Sequence, residues 1–169
     1  FNPFNKMVMQ FREPVILPKV IPLHTVEHFL STIYKQLNEA DTPYKRKNAL
    51  RDVAAAEILF STGIRISELC SLKPQDINLS TGTILIYGKG DKERIVSISE
   101  GTVKHLKNYI KLFHNQDTPD TEYLFYTLIH NQANPMSPSN VERIINKYAE
   151  KIRPEHPELP AKVHPHMLR

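Results

Sequence analysis

His166 and Arg169 stand three residues apart, directly after Pro165. Proline is favoured in the first turn of a helix, so the spacing predicts a helix that begins at Pro165 and carries an imidazole and a guanidinium on one face near its positive end. That end is suited to a phosphate, because free backbone N–H groups and the helix dipole both favour negative charge. A second arginine, Arg65, lies in Ser61-Thr62-Gly63-Ile64-Arg65-Ile66-Ser67-Glu68-Leu69, three residues before Glu68. A guanidinium offers two parallel hydrogen bonds and does not lose its charge, which fits the non-bridging oxygens of a phosphate. Two such arginines with a helix-borne histidine point to phosphoryl transfer on DNA.

Lys89 sits between two glycines in Gly88-Lys89-Gly90-Asp91-Lys92-Glu93-Arg94. Glycine on both sides lets the backbone bend closely around a ligand, and a loop lysine there can reach and protonate a leaving oxygen. Lys92 and Arg94 on the same loop and strand extend a phosphate-facing edge. Each feature also has a plain alternative. Arg65 and Glu68 can be a surface ion pair of little energetic weight, and Gly-Lys-Gly-Asp can be a solvated turn. The apolar flanks Ile64, Ile66 and Leu69 favour a cleft for the pair. His156, His164 and His166 invite a metal, but their spacing is poor for ligands on a regular element and neither Cys nor a carboxylate pattern joins them, so no metal site is expected.

The composition is that of a globular domain: 169 residues, 40% hydrophobic, 24% charged. A net charge of +4 mildly favours a polyanionic partner. Cys70 is the single cysteine, which excludes an intramolecular disulfide framework and fits a cytoplasmic setting. There is neither a long apolar run nor a signal-peptide pattern, so no membrane span is expected. The chain begins at Phe1 and ends at Arg169 inside a helical pattern without a cap, so it reads as a piece of a longer protein.

The elements that must position these groups follow from periodicity and punctuation. Pro3, Pro14, Pro18 and Pro22 with basic residues between them make residues 1–21 an extended linker. Val26, Phe29, Leu30, Ile33, Tyr34 and Leu37 predict a helix over 24–38, followed by a polar loop over 39–45 and a second helix over 46–62 that Gly63 ends. A short helix over 64–72 carries Arg65 and Glu68. Three β-rich runs, 76–79, 83–87 and 94–98, predict a three-stranded antiparallel sheet whose hairpin loop holds Lys89. Ser99 caps a helix with Val103, Leu106, Ile110 and Phe113 inward. Tyr123 to Tyr126 read as a short buried segment. Ser137 and Pro138 open a helix with the stripe Val141, Ile144, Ile145, Tyr148 and Ile152. The fold class is mixed α+β, mainly helical with one small sheet.

Thr62-Gly63-Ile64-Arg65-Ile66-Ser67-Glu68-Leu69, then Gly88-Lys89-Gly90-Asp91-Lys92-Glu93-Arg94, then His166-Met167-Leu168-Arg169 resemble, in order and approximate spacing, the catalytic domain of tyrosine recombinases, the phage-integrase and Xer-like family. The resemblance covers nearly all of residues 20–169 and implies the DNA breaking-rejoining fold. It makes residues 1–21 the linker from an N-terminal core-binding domain, and residues 22–169 a catalytic domain that is incomplete at its C-terminal end. It implies that Arg65 and Arg169 clamp the scissile phosphate, that Lys89 is the general acid for the 5′-oxygen, that His166 handles the nucleophile's proton and that Glu68 supports the pocket. In the family a tyrosine attacks and leaves a 3′-phosphotyrosyl link, with no ATP, metal or other cofactor. That tyrosine follows His-x-x-Arg and is expected beyond Arg169, so these residues alone are expected not to cleave DNA. The partners implied are double-stranded DNA, three further protomers in a tetramer on two sites, and accessory DNA-bending proteins. A catalytically inactive DNA-binding relative and a type IB topoisomerase are the alternatives. An unrelated basic helical module would explain neither Lys89 nor the order of the motifs.

Overall fold

The computed structural model describes residues 20–88, 90, 92–130 and 132–168. Lys89 and Arg169, and all of the linker except Val20 and Ile21, lie outside the described residues, as does the side chain of His166. Among the described residues, five α-helices pack with two antiparallel β-units. Helices α1 (Leu23–Asn38) and α4 (Glu100–Phe113) lie against α2 (Pro43–Thr62), and α5 (Pro138–Ile152) against α1. Helix α2 is the hub. Val53, Ala54, Ala55, Ala56 and Ile58 are all buried, and the small alanines let neighbouring helices approach closely.

Helix α2 begins three residues earlier than its apolar run suggests, within the expected polar loop. Thr42 caps it by accepting from the Lys45 N–H at 3.2 Å, and Pro43 occupies the first turn. Its far end is set by Gly63, left-handed at φ 61°, whose N–H reaches the Leu59 carbonyl. The chain reverses there, buries Ile64 and enters α3 (Ile66–Ser71).

A 3-10 turn, Pro74–Asp76, leads to the sheet of β1 (Ile77–Asn78), β2 (Thr83–Tyr87) and β3 (Glu93–Ser97), antiparallel in that order. Ile84 pairs with Val96 and Ile86 with Arg94. Ile84 and Ile86 are fully buried, so Arg94 shares the inward face of the sheet. In α4, Leu106, Tyr109 and Phe113 are buried, whereas Val103 and Ile110 are only partly covered. The segment after α4 buries Leu124, Phe125 and Tyr126, as expected, and then forms a second hairpin, β4 (Tyr126–Ile129) with β5 (Gln132–Pro135), which no sequence pattern announces.

The stripe of α5 is buried as read from its spacing. Tyr148 on that stripe donates to the buried carboxylate of Asp52 in α2, which Arg51 and Lys147 also hold. Pro165–Leu168 form a 3-10 turn rather than an α-helix, closed by the Met167 N–H on the His164 carbonyl. The Ile21 N–H donates to the Met167 carbonyl at 3.2 Å, and Ile21 is itself buried, so the core takes in the last residue assigned to the linker. Among the described residues no helix is long and apolar enough to cross a membrane.

Candidate active site

Arg65 is the N-cap of α3, and Glu68 is the third residue of that helix. The Glu68 carboxylate reaches back to accept the Arg65 backbone N–H at 2.7 Å, which satisfies a donor the helix start would leave unpaired. One of its oxygens also accepts Nη1 of Arg65 at 3.2 Å. The inward face of β3 supplies the other side. Arg94 makes a two-pronged contact, Nη1 to Oε1 at 3.0 Å and Nη2 to Oε2 at 2.8 Å.

Glu68 is thus a buried carboxylate holding two guanidinium groups. Hydrogen bonding from Arg94 is the main cause that brings its carboxyl down to about 2, against the upward push of burial and with help from the Arg65 N–H. The arrangement leaves the Arg65 side chain 66% exposed, and Arg94 41%. The interaction carries two positive charges against one negative, and the surplus faces solvent at Arg65. An exposed guanidinium anchored from behind by a buried carboxylate is pre-positioned for an anion and loses little freedom on binding one.

Arg65, Ser67, Glu68, Ser71, Tyr87 and Gly88 line an open depression between α3 and the β2–β3 hairpin. Gly88 allows a close approach there. A Cβ at that position would stand 3.2 Å from the Lys92 carbonyl, which accepts the Gly88 N–H, and 3.6 Å from Nη1 of Arg94. Lys92 is exposed on the same hairpin.

Of the residues singled out by sequence, the structure brings Arg65, Glu68 and Arg94 together. Arg94, expected to face DNA, directs both terminal nitrogens at Glu68. The backbone of His166 lies in the 3-10 turn tied to Ile21. Ser67, Ser71 and Tyr87 join the site with no distinguishing sequence signal. Tyr87 ends β2 with its side chain half in solvent, and no periodicity marks that position.

The model of the phage integrase family matches residues 27–169. A tyrosine recombinase of Agathobacter rectalis is 50% identical over 99% of this chain and 52% of its own length. The crystal structure of XerA recombinase superimposes with a TM-score of 0.68 at 27% identity, covering 93% of this chain and 50% of that one. A XerH site-specific recombinase, in a post-cleavage complex with its palindromic difH substrate, gives 0.65 at 26% identity, covering 90% and 40%. The chain spans about half the length of the curated relatives it matches. It belongs to the phage integrase family and is a catalytic-type domain of a tyrosine recombinase.

Proposed function

We propose that this domain cleaves and rejoins double-stranded DNA at specific sites through a 3′-phosphotyrosyl intermediate. The observation that carries the reading is the Arg65–Glu68–Arg94 cluster, in which a buried carboxylate aims an exposed guanidinium into the depression beside Gly88. In this reading Arg65 and Arg169 bind the non-bridging oxygens of the scissile phosphate and stabilise the charge that grows there in the transition state. Lys89, between Gly88 and Gly90 in the sequence, protonates the departing 5′-oxygen, and His166 handles the proton of the attacking hydroxyl. Glu68 aligns Arg65. Arg94 holds Glu68, and Lys92 contacts the DNA backbone from the hairpin.

The attacking tyrosine is supplied by a segment other than residues 1–169, and two observations support this. Tyr109, Tyr126 and Tyr148 are fully buried, with phenols that burial makes harder to ionise. Tyr34 is bound to Glu57. Tyr87 lines the depression and is the internal candidate against which this reading is tested. The complete enzyme is a homotetramer on two DNA sites, by analogy with the family, and accessory DNA-bending proteins belong to the same analogy. The reaction conserves the energy of the phosphodiester in the phosphotyrosine, so it calls for no ATP.

The test is cleavage of a nicked DNA site that traps the covalent intermediate, read on a denaturing gel with the full-length protein. Arg65→Ala is expected to lower covalent complex formation by about 10²–10³-fold while DNA binding falls only a few-fold. An equal loss of binding and cleavage overturns the transition-state role. Covalent capture by residues 1–169 alone overturns the external nucleophile, and its loss on Tyr87→Phe would then identify the attacking group.

A further inference from the structure

We propose that His24, His156 and Glu158 form a Zn²⁺ site that clamps the start of α1 to the loop after α5. One ring nitrogen of each histidine and a carboxylate oxygen of Glu158 lie within 4.8 Å of one another. Nε2 of His24 is 3.7 Å from Oε1 of Glu158, and Nδ1 of His156 is 2.8 Å from the same oxygen. Ligand atoms around a tetrahedral zinc stand about 3.4 Å apart at ordinary Zn–N and Zn–O lengths, so side-chain adjustments of about an ångström bring the three onto one ion. Two imidazoles and one carboxylate are a ligand set that suits this borderline cation, with water in the fourth position.

The surroundings add what three ligands alone do not give. His156 is buried, and its ring is held from both sides. Nδ1 faces Glu158 and the Thr25 hydroxyl, 3.1 Å away, while Nε2 is 2.8 Å from Nδ1 of His28. In the metal-bound form His156 is the Nε2–H tautomer and donates that proton to His28, so Nδ1 presents its lone pair to the ion. A metal-ligating histidine characteristically has its second nitrogen held in this way. His24 is largely exposed and opens the site to solvent. The sequence groups His156 with His164 and His166, whereas the fold places it against α1.

The position gives the ion a role. The loop from Arg153 to His164 joins α5 to the 3-10 turn that contains His166, and that turn is already tied to Ile21, two residues before α1. A bound cation would fix the loop to the same helix start. Its binding does not depend on the recombination chemistry proposed above, so the two readings fail separately.

The test uses the untagged chain, stripped with a chelator and titrated with Zn²⁺ against a chromophoric competitor, with Co²⁺ absorption as a second probe. One equivalent is expected to bind. Zinc a hundredfold above Kd should raise Tm by roughly 5–10 °C. His24→Ala, at an exposed position and with folding checked by circular dichroism, should weaken binding at least tenfold, as should Glu158→Gln. His130→Ala, in the β4–β5 turn, should leave it unchanged. Absence of stoichiometric zinc binding, or binding indifferent to both His24→Ala and Glu158→Gln, overturns the proposal and leaves a hydrogen-bonded histidine–carboxylate relay.

Discussion

Replacing Glu68 with glutamine removes one charge and almost no volume from the centre of the candidate site, and its effect on stability follows from the geometry. The carboxyl ionises at about 2 in the fold against 4.5 for an unperturbed glutamate. At 1.36 kcal/mol per pKa unit this gap corresponds to about 3 kcal/mol. Both arginines reach solvent, 66% and 41% exposed, which screens part of the attraction and leaves about 2 kcal/mol. Because the folded-state pKa is depressed, the stabilisation is complete above pH 4.5 and drains away as the pH falls from there toward 2. Urea unfolding of wild type and Glu68→Gln, followed by far-UV circular dichroism, should therefore show a difference of about 2 kcal/mol at pH 7. For a domain of this size that is a midpoint shift of about 1 M urea. The difference should shrink through pH 4 and vanish near pH 2. Carboxylates such as Glu158, also held down to about 2, titrate in both proteins and cancel in the comparison. Equal stabilities at pH 7, or a difference that persists at pH 2, would refute the assignment of Glu68 as a charged keystone.

Two smaller perturbations probe the hairpin beside the site and the polar contact between α2 and α5. Gly88→Ala drives a Cβ to 3.2 Å from the Lys92 carbonyl and should cost about 1 kcal/mol in chemical denaturation; in the full-length protein it should lower DNA cleavage more than DNA binding, since the distortion falls on the hairpin that carries Lys89. Tyr148→Phe removes a hydroxyl that donates to buried Asp52 at 3.1 Å but leaves Arg51 and Lys147 in place, so thermal unfolding should register a loss of about 1 kcal/mol with DNA affinity unchanged.

What could be read from the sequence was local. Gly63 ends α2 because a residue at φ 61° must tolerate the left-handed region. Ser99 and Ser137 cap the helices that follow them, each accepting from an N–H three residues on. Features without a local signature were lost. The first turn of α2, Tyr44-Lys45-Arg46-Lys47-Asn48, is polar all round, and only the Thr42–Pro43 pair announces it. Strand β5 is Gln132-Ala133-Asn134-Pro135, without a β-branched or aromatic residue, and exists because β4 pairs with it. The turn between them begins with His130 at φ 49°, a conformation that Asn-Gly or Gly-Gly would have advertised and histidine does not.

The site divides along the same line. Glu68 stands three residues after Arg65, so half of the cluster follows from helix geometry alone. Arg94 depends on register. In the run Arg94-Ile95-Val96-Ser97-Ile98 two phases are open, and hydrophobicity alone gives Ile95 no less claim to the core than Val96. The pairing of Ile86 with Arg94 and Ile84 with Val96 decides it, turning Ile95 outward at 72% exposure and Arg94 inward, where an arginine is tolerated only because Glu68 is there to receive it. A slip of one residue would bring Ile95 against the carboxylate and send the guanidinium into solvent. The burial of Ile84 and Ile86 on β2 therefore does more than fill the core: it fixes which face of β3 meets α3, and with it the charge that holds Arg65 in place.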